Sequence, residues 1–268
     1  MTASGNLMAG KRGLVMGVAN DRSLAWGIAR ACHGAGAELA FTYQGEAMGR
    51  RAIPLAESVG AEIIDSCDVT NDGDLDRIFA TIEKQWGGLD FVVHSLAFSD
   101  RDELKGRYVD TSRTNFAMTM NISCYSFTDI ARRAEALMDD GGALLTLTYD
   151  GSQRVIHNYN VMGVAKAALE ASVRYMANDL GDKGTQGIRV NALSAGPMRT
   201  LAGAGVADAR QVYSWVHDNS ALRRNPTLDE VGNAGLYLLS DLSRGVTGEI
   251  HYVDCGYNVV GMGVFDDE

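Results

Sequence analysis

Short apolar runs rich in β-branched residues alternate along the chain with longer stretches whose apolar positions recur at helical spacing. Gly13–Val18, Glu38–Tyr43, Glu62–Cys67, Leu89–His94, Ala143–Thr148, Ile188–Leu193 and Glu249–Val253 read as strands. Ser23–Ala35, Asp72–Trp86 and Asn158–Leu180 read as amphipathic helices between them. The fourth and fifth strands are almost continuously apolar, as expected of parallel strands covered by helices on both faces. Seven strands separated by helices predict right-handed β-α-β units in one doubly wound parallel sheet. Residues 197–224 drop out of the alternation and predict a small helical lid, because ligands of such sheets sit beyond the carboxyl ends of the strands.

Composition narrows this picture. The 268 residues are 46% hydrophobic and 22% charged, with only 3 prolines and no low-complexity stretch. That predicts a single domain over residues 11–262, between a flexible start (1–10) and a short tail (263–268). A formal net charge of -10 argues against nonspecific binding to nucleic acid or to an anionic membrane, both of which would repel the chain. No apolar run reaches membrane-spanning length, and the N-terminus lacks a signal-peptide core, so a cytoplasmic location is expected. Cys32, Cys67, Cys124 and Cys255 show no Cys-x-x-Cys spacing. They read as small apolar residues in a reducing compartment, and no metal is expected.

The first strand runs into Gly17-Val-Ala-Asn-Asp-Arg-Ser23-Leu24-Ala25-Trp-Gly27. This is not the simple G-x-G-x-x-G fingerprint, yet the ingredients of a Rossmann-type phosphate turn are present. Gly17 permits a sharp exit from the strand. Ser23 offers a hydroxyl near the helix start, and Ala25 and Gly27 keep the helix thin. The helix N-terminus then presents N–H groups to a pyrophosphate. The same small residues also suit plain helix–strand packing, and both readings stand here. At the end of the second strand Gln44 replaces the usual ribose-binding acid, with no Arg or Lys immediately beside it, which favours NADH over NADPH. Arg50 and Arg51, a turn later, weigh on the other side. Asp68, before Val69, fits either an adenine contact or a helix cap. His94, before Ser95-Leu96-Ala97, reads as a core histidine rather than a catalyst.

Tyr149 follows the fifth strand directly, Tyr159 comes ten positions later and Lys166 seven further on. If Tyr159 opens a helix, seven residues are nearly two turns. Both side chains then share a face, about 10 Å apart along the axis. A phenol in that position can donate to an oxygen that becomes negative only in a transition state. An ammonium nearby can hold a nicotinamide ribose and, by charge proximity, lower the phenol pKa. Alone, a Tyr and a Lys on one helix are a common pair; after a fifth strand in this pattern they point to reduction.

These motifs resemble the bacterial enoyl-acyl-carrier-protein reductases, a divergent branch of the short-chain dehydrogenase/reductases. The similarity runs from about Lys11 to Met262 and is most specific in Gly17–Ala29, Ala37–Gln44, Asn158–Lys166 and Arg189–Thr200. Ordinary members carry Tyr-x-x-x-Lys; Gly163 stands where that Lys would be, and the longer spacing to Lys166 marks the enoyl reductases. The resemblance implies a homotetramer that uses NADH to reduce a trans-2-enoyl-acyl-carrier protein in fatty-acid elongation. It implies cofactor contacts at Gly17, Ser23, Leu24, Gln44, Asp68, Val69, Leu96 and Lys166. Met198, Arg199, Thr200, Leu201 and Ala202 are implied to line the nicotinamide and the lid. Tyr159 is implied as the enolate-stabilising donor, Tyr149 as a second tyrosine that gates or orients the acyl chain, and Ser99 as a substrate neighbour.

Three positions depart from the family pattern. Ala97 and Ser99 stand where Gly and Ala are expected beside the substrate, and His157 replaces a Pro before Asn158-Tyr159. They bear on acyl-chain preference more than on reaction class. Two other functions stay open at this point: a related reductase acting on another enoyl thioester or a carbonyl, and a non-catalytic NADH sensor. Arg199, Arg210, Arg223 and Arg224 form either a basic rim for an acidic carrier protein or a solvated surface scatter.

Overall fold

The computed structural model describes residues 5–182, 187–200 and 209–263. Seven parallel strands form one sheet: β1 (Arg12–Met16), β2 (Glu38–Tyr43), β3 (Ile63–Ser66), β4 (Phe91–His94), β5 (Gly142–Thr148), β6 (Ile188–Ala195) and β7 (Ile250–Val253). Their order is β3-β2-β1-β4-β5-β6-β7, so the winding reverses between β1 and β4. The helices are α1 (Leu24–Gly34), α2 (Gly45–Ser58), α3 (Asp72–Trp86), α4 (Arg113–Met120), α5 (Ser126–Glu135), α6 (Asn160–Gly181), α7 (Ala209–Asn219) and α8 (Leu228–Leu239). The expected single-domain, seven-stranded α/β architecture is therefore present.

Strand pleat divides the interior into two layers. Leu14, Met16, Val92 and Leu144 face one core with Leu75 and Ile78 of α3, Ile130 of α5 and Val173 of α6. Val15, Phe91, Val93 and Leu145 face the other with Ile28 of α1, Ala56 of α2 and Val231 of α8. Successive residues point to opposite faces, so strands buried on both sides must be apolar throughout. Asp90 anchors the lower edge of the sheet, accepting from Lys11 Nζ at 2.8 Å and from the Arg12 amide at 2.8 Å.

The start of the chain is less loose than its sequence suggests. Met8 is buried, and its amide donates to the Ala35 carbonyl at 2.8 Å. β1 also ends earlier than expected, because Gly17 turns out of the strand at φ +97°. A side chain there would collide with the Ser95 carbonyl.

Of the two readings left open for Gly27, the structure displays packing, against a helix and not a strand. A Cβ on Gly27 would lie 2.7 Å from Leu228 Cδ1 and 2.9 Å from the Leu228 carbonyl, and one on Gly232 would lie 2.5 Å from the Gly27 carbonyl. The two glycines let α1 and α8 touch backbone to backbone, beneath the turn that Gly17 opens. Gly27→Val should therefore cost about 1–3 kcal/mol by overpacking and lower the melting temperature by several degrees. A melting curve within about 1 °C of the parent would show that the crossing has slack.

Candidate active site

All strands are parallel, so their carboxyl ends share one edge. Gly17 follows β1, Gln44 follows β2, Asp68 lies two residues past β3 and Leu96 two past β4. Tyr149 follows β5, and Met198 lies three residues past β6. Gln44 Nε2 donates to Asp68 Oδ2 at 2.9 Å, so two residues expected at the adenosine end are joined. Asp68 is not the helix cap: the Asn71 side chain caps α3 by accepting from the Gly73 amide. Asp68 instead accepts from the Thr70 amide and hydroxyl, and these bonds hold its carboxyl below the ordinary range. Ser23 is the residue before α1, but its hydroxyl turns back to accept from the Ala19 and Asn20 amides, both at 3.0 Å. It shapes the turn after β1 from within. Leu24, Val69, Leu96 and Met198 are partly buried and packed against the two cores. Leu201 and Ala202 lie outside the described residues.

The catalytic candidates come together. β5 ends at Thr148, Tyr149 continues extended, and a tight turn over 150–152 leads toward α6. Asn158 adopts φ +56°, a conformation Asn tolerates well, and hands the chain to Tyr159 at the N-cap of α6. The Tyr149 and Tyr159 rings meet edge to face, centroids 5.1 Å apart at 75°. Lys166, two turns along, is buried and donates from Nζ to the Leu147 carbonyl at 2.8 Å. Gly163 lies between them on the same face. A Cβ there would stand 2.6 Å from the Gly151 carbonyl, so no lysine fits at that position and the cation must come from the next turn.

Burial sets the protonation states. It pushes both phenols above their ordinary range; for Tyr159 the neighbouring Tyr149 and the Glu170 carboxylate add to the effect. The expected lowering of the phenol pKa by Lys166 is thus overturned, and Tyr159 is a neutral donor at neutral pH. Burial also brings Lys166 down to about 8. His94 is the core histidine it looked to be: its ring nitrogens bond the Thr146 and Ser126 hydroxyls, both at 2.8 Å, and burial brings it down to about 3.

A cavity of about 300 Å³ opens beside Tyr149, lined by Val155, Ile156 and His157 from the turn before α6, by Gln211, Val212 and Trp215 of α7, and by Tyr257. It puts α7 where a lid helix was expected. Ser99 does not offer its hydroxyl to this space, because Oγ is bonded to Asn115 at 3.2 Å and Thr119 at 2.9 Å. The basic rim is also thinner than expected. Arg224 pairs with both oxygens of Glu230 at 2.7 and 2.8 Å, Arg223 donates to the Asp218 carbonyl, and Arg199 lies over the Tyr213 ring at 4.8 Å. Sequence reasoning missed Glu230, although Thr227-Leu-Asp-Glu230 is a capping-box signature and forms one at the start of α8. Glu170 was also missed. Among the described residues no cluster of ligating side chains suits a metal ion.

The sheet order, the turn after β1 and the Tyr–Lys face of α6 define the class: a short-chain dehydrogenase/reductase with an extended tyrosine–lysine spacing. A family model described as enoyl-(acyl carrier protein) reductase matches residues 17–258. The chain belongs to that family. It is 63% identical to enoyl-[acyl-carrier-protein] reductase [NADH] 2 of Rhizobium meliloti, over 96% of this chain and 94% of that protein. It is 52% identical to the Bacillus cereus enoyl-[acyl-carrier-protein] reductase [NADH], over 95% of this chain and 99% of the relative. The crystal structure of the Anaplasma phagocytophilum reductase in complex with NAD superposes with a TM-score of 0.93 at 57% identity, covering 99% and 100% of the two chains.

Proposed function

We propose that this chain is an NADH-dependent reductase of trans-2-enoyl-acyl-carrier-protein in fatty-acid elongation, with Tyr159 acting on the substrate and Lys166 on the cofactor. The observation that carries the residue roles is the edge-to-face contact of Tyr159 with Tyr149, which lines an apolar-walled cavity, on the helix face that also carries the buried Lys166. Gly17, Ser23 and Leu24 form the phosphate turn of the proposed cofactor site. Gln44, Asp68 and Val69 take the adenosine end, and Leu96 lies behind it. Met198, Arg199 and Thr200, just past β6, take the nicotinamide end. The residues suit a dinucleotide by their place: Gly17, Gln44, Asp68 and Leu96 all follow strands at the carboxyl edge of the sheet, and Gln44 and Asp68 share a hydrogen bond.

When bound, NADH supplies the hydride that adds to the β-carbon of the enoyl thioester. Negative charge then gathers on the thioester oxygen, and Tyr159 donates a hydrogen bond to it. A phenol that stays protonated suits this role better than a phenolate, which has no proton to give. Tyr149 bears on the Tyr159 ring and lines the acyl cavity, orienting the chain. Lys166, pinned by the Leu147 carbonyl, would hold the nicotinamide ribose.

We also propose a homotetramer working in the cytoplasm. Phe116 on α4, Tyr125 between α4 and α5, and Tyr175 on α6 form one exposed apolar set on helices packed together. Tyr237 on α8, Leu242 just past it and Val259 after β7 are exposed apolar residues elsewhere on the chain. Exposed apolar residues in more than one part of the surface suit an assembly with more than one interface, as dihedral symmetry provides. Among the described residues, no helix is long and apolar enough to cross a membrane.

Mixing the protein with NADH and a crotonyl or dodecenoyl carrier thioester should consume NADH, followed by its absorbance. Tight NADH binding without turnover of any enoyl thioester would leave only a sensor. Tyr159→Phe should lower kcat by about a hundredfold and leave NADH affinity within about twofold; a parallel collapse of NADH binding would refute the division of roles. The Lys166 ammonium is favoured only below about pH 8. NADH affinity should therefore weaken as pH rises from 7 through 8, and Lys166→Met should be weaker at pH 7 and flat across that range. An unchanged pH profile in the variant would clear Lys166 of the ribose role. Sedimentation at micromolar concentration should give four chains, and a monomer would remove the assembly proposed from the exposed apolar residues.

A further inference from the structure

Glu170, at 1% exposure, is buried more deeply than Asp129, Asp150 or Asp254, the other buried acids among the described residues. It lies on α6 four residues past Lys166, so Tyr159, Gly163, Lys166 and Glu170 follow one another at intervals of four, three and four along a single helix face. Its carboxylate is met by neutral donors. Thr148 Oγ1 donates to Oε1 at 2.6 Å, the Ser152 hydroxyl donates to the same oxygen, and Gln153 Nε2 donates to Oε2 at 2.6 Å. A carboxylate removed from water is costly, and an apolar residue of like volume would fill the space at lower cost. What an apolar residue could not do is fasten polar groups from both sides of Tyr149: Thr148 precedes it, and Ser152 and Gln153 follow.

We propose that Glu170 is a positioning residue, whose carboxylate ties the strand end before Tyr149 and the turn after it to α6, and so sets the two tyrosine rings against each other. The inference rests on the proposed role of Tyr159. The geometry leaves little tolerance. Gly151, between the tied residues, backs directly on the Tyr159 ring, and Gly163 leaves room only for the Gly151 carbonyl. If the turn lifts from α6, both rings lose their common support. Misplacement of a donor by about an ångström costs up to a hundredfold in rate, while Lys166, held by the Leu147 carbonyl upstream of the turn, stays in place.

The test uses the full chain with NADH and a dodecenoyl carrier thioester. Glu170→Gln keeps a carbonyl for the hydroxyls but turns an amide N–H toward the Gln153 donor. Measured at about pH 6, where Lys166 keeps its charge without help from the Glu170 carboxylate, it should lower kcat about tenfold, with NADH stoichiometry intact and NADH affinity within about twofold. In a Tyr159→Phe background the same change should cost less than about twofold, because the donor it positions is gone. Thr148→Val and Gln153→Ala each remove one donor and should lower kcat about threefold; they carry the test if Glu170→Gln fails to fold. The proposal is overturned if every folded variant keeps kcat within about twofold, if the Glu170→Gln loss persists undiminished in the Tyr159→Phe background, or if NADH stoichiometry falls in step with rate. Failure of the underlying reading looks different: Tyr159→Phe alone would then turn over at the parental rate.

Discussion

The contact between α6 and the turn after β5 is the constraint on which the site depends. Gly163 admits only the Gly151 carbonyl, and Gly151 in turn admits only the Tyr159 ring. Once this contact closes, Tyr149 has one place to go, edge-on to Tyr159. Lys166 is then the first position along that face where a long side chain can reach the end of β5. The longer tyrosine–lysine spacing thus has a steric cause: the turn occupies the space a lysine at position 163 would need. Hydrogen bonds at Leu147 and Glu170 secure the lower part of the same face. A packing constraint and a catalytic spacing are here one feature.

The strands were legible because burial on both faces leaves no polar positions to blur them. Phe91 and Val93 serve one core and Val92 the other, so the run is apolar throughout. The helices were read unevenly. α2 contains Gly45, Gly49 and Pro54, and these interrupt its pattern with weak helix formers. Between α4 and α5, residues Asn121–Tyr125 wind as a π-helix, which advances the phase and defeats a 3.6-residue reading of the whole stretch. α8 carried a plain start signal at Thr227 and Glu230, but it directly follows the irregular lid segment.

Among site residues, legibility followed chemistry rather than exposure. Tyr149, Tyr159 and Lys166 stood out because their types and spacing match a reaction. Ser99 stood out by position alone, and its hydroxyl is taken up by Asn115 and Thr119. Gly27 could not be resolved from sequence between phosphate approach and packing, and only the fold shows that it makes room for α8. Glu170 left no trace in the pattern, since a glutamate in a long helix is ordinarily a solvated residue. Only the fold brings Thr148, Ser152 and Gln153 to it.

The charges buried around the site form a consistent arrangement. Tyr159 feels the Glu170 carboxylate and Tyr149 feels that of Asp150, so each phenol holds its proton more firmly than burial alone would require. Asp150 Oδ2 is buried without a hydrogen-bond partner, and burial raises its own pKa, with Arg154 at 3.9 Å only partly offsetting the cost. An enzyme that abstracted a proton here would be poorly served by such neighbours, because they disfavour a phenolate. One that donates a hydrogen bond to a nascent enolate is well served, since the same carboxylates keep the donor loaded. Lys166 supplies the opposite charge on the same helix face, and the Glu170 carboxylate favours its ammonium against the larger effect of burial. Negative groups beside the phenols and a cation at Lys166 therefore agree with the proposed division of the site, a donor for the substrate and a cation for the dinucleotide.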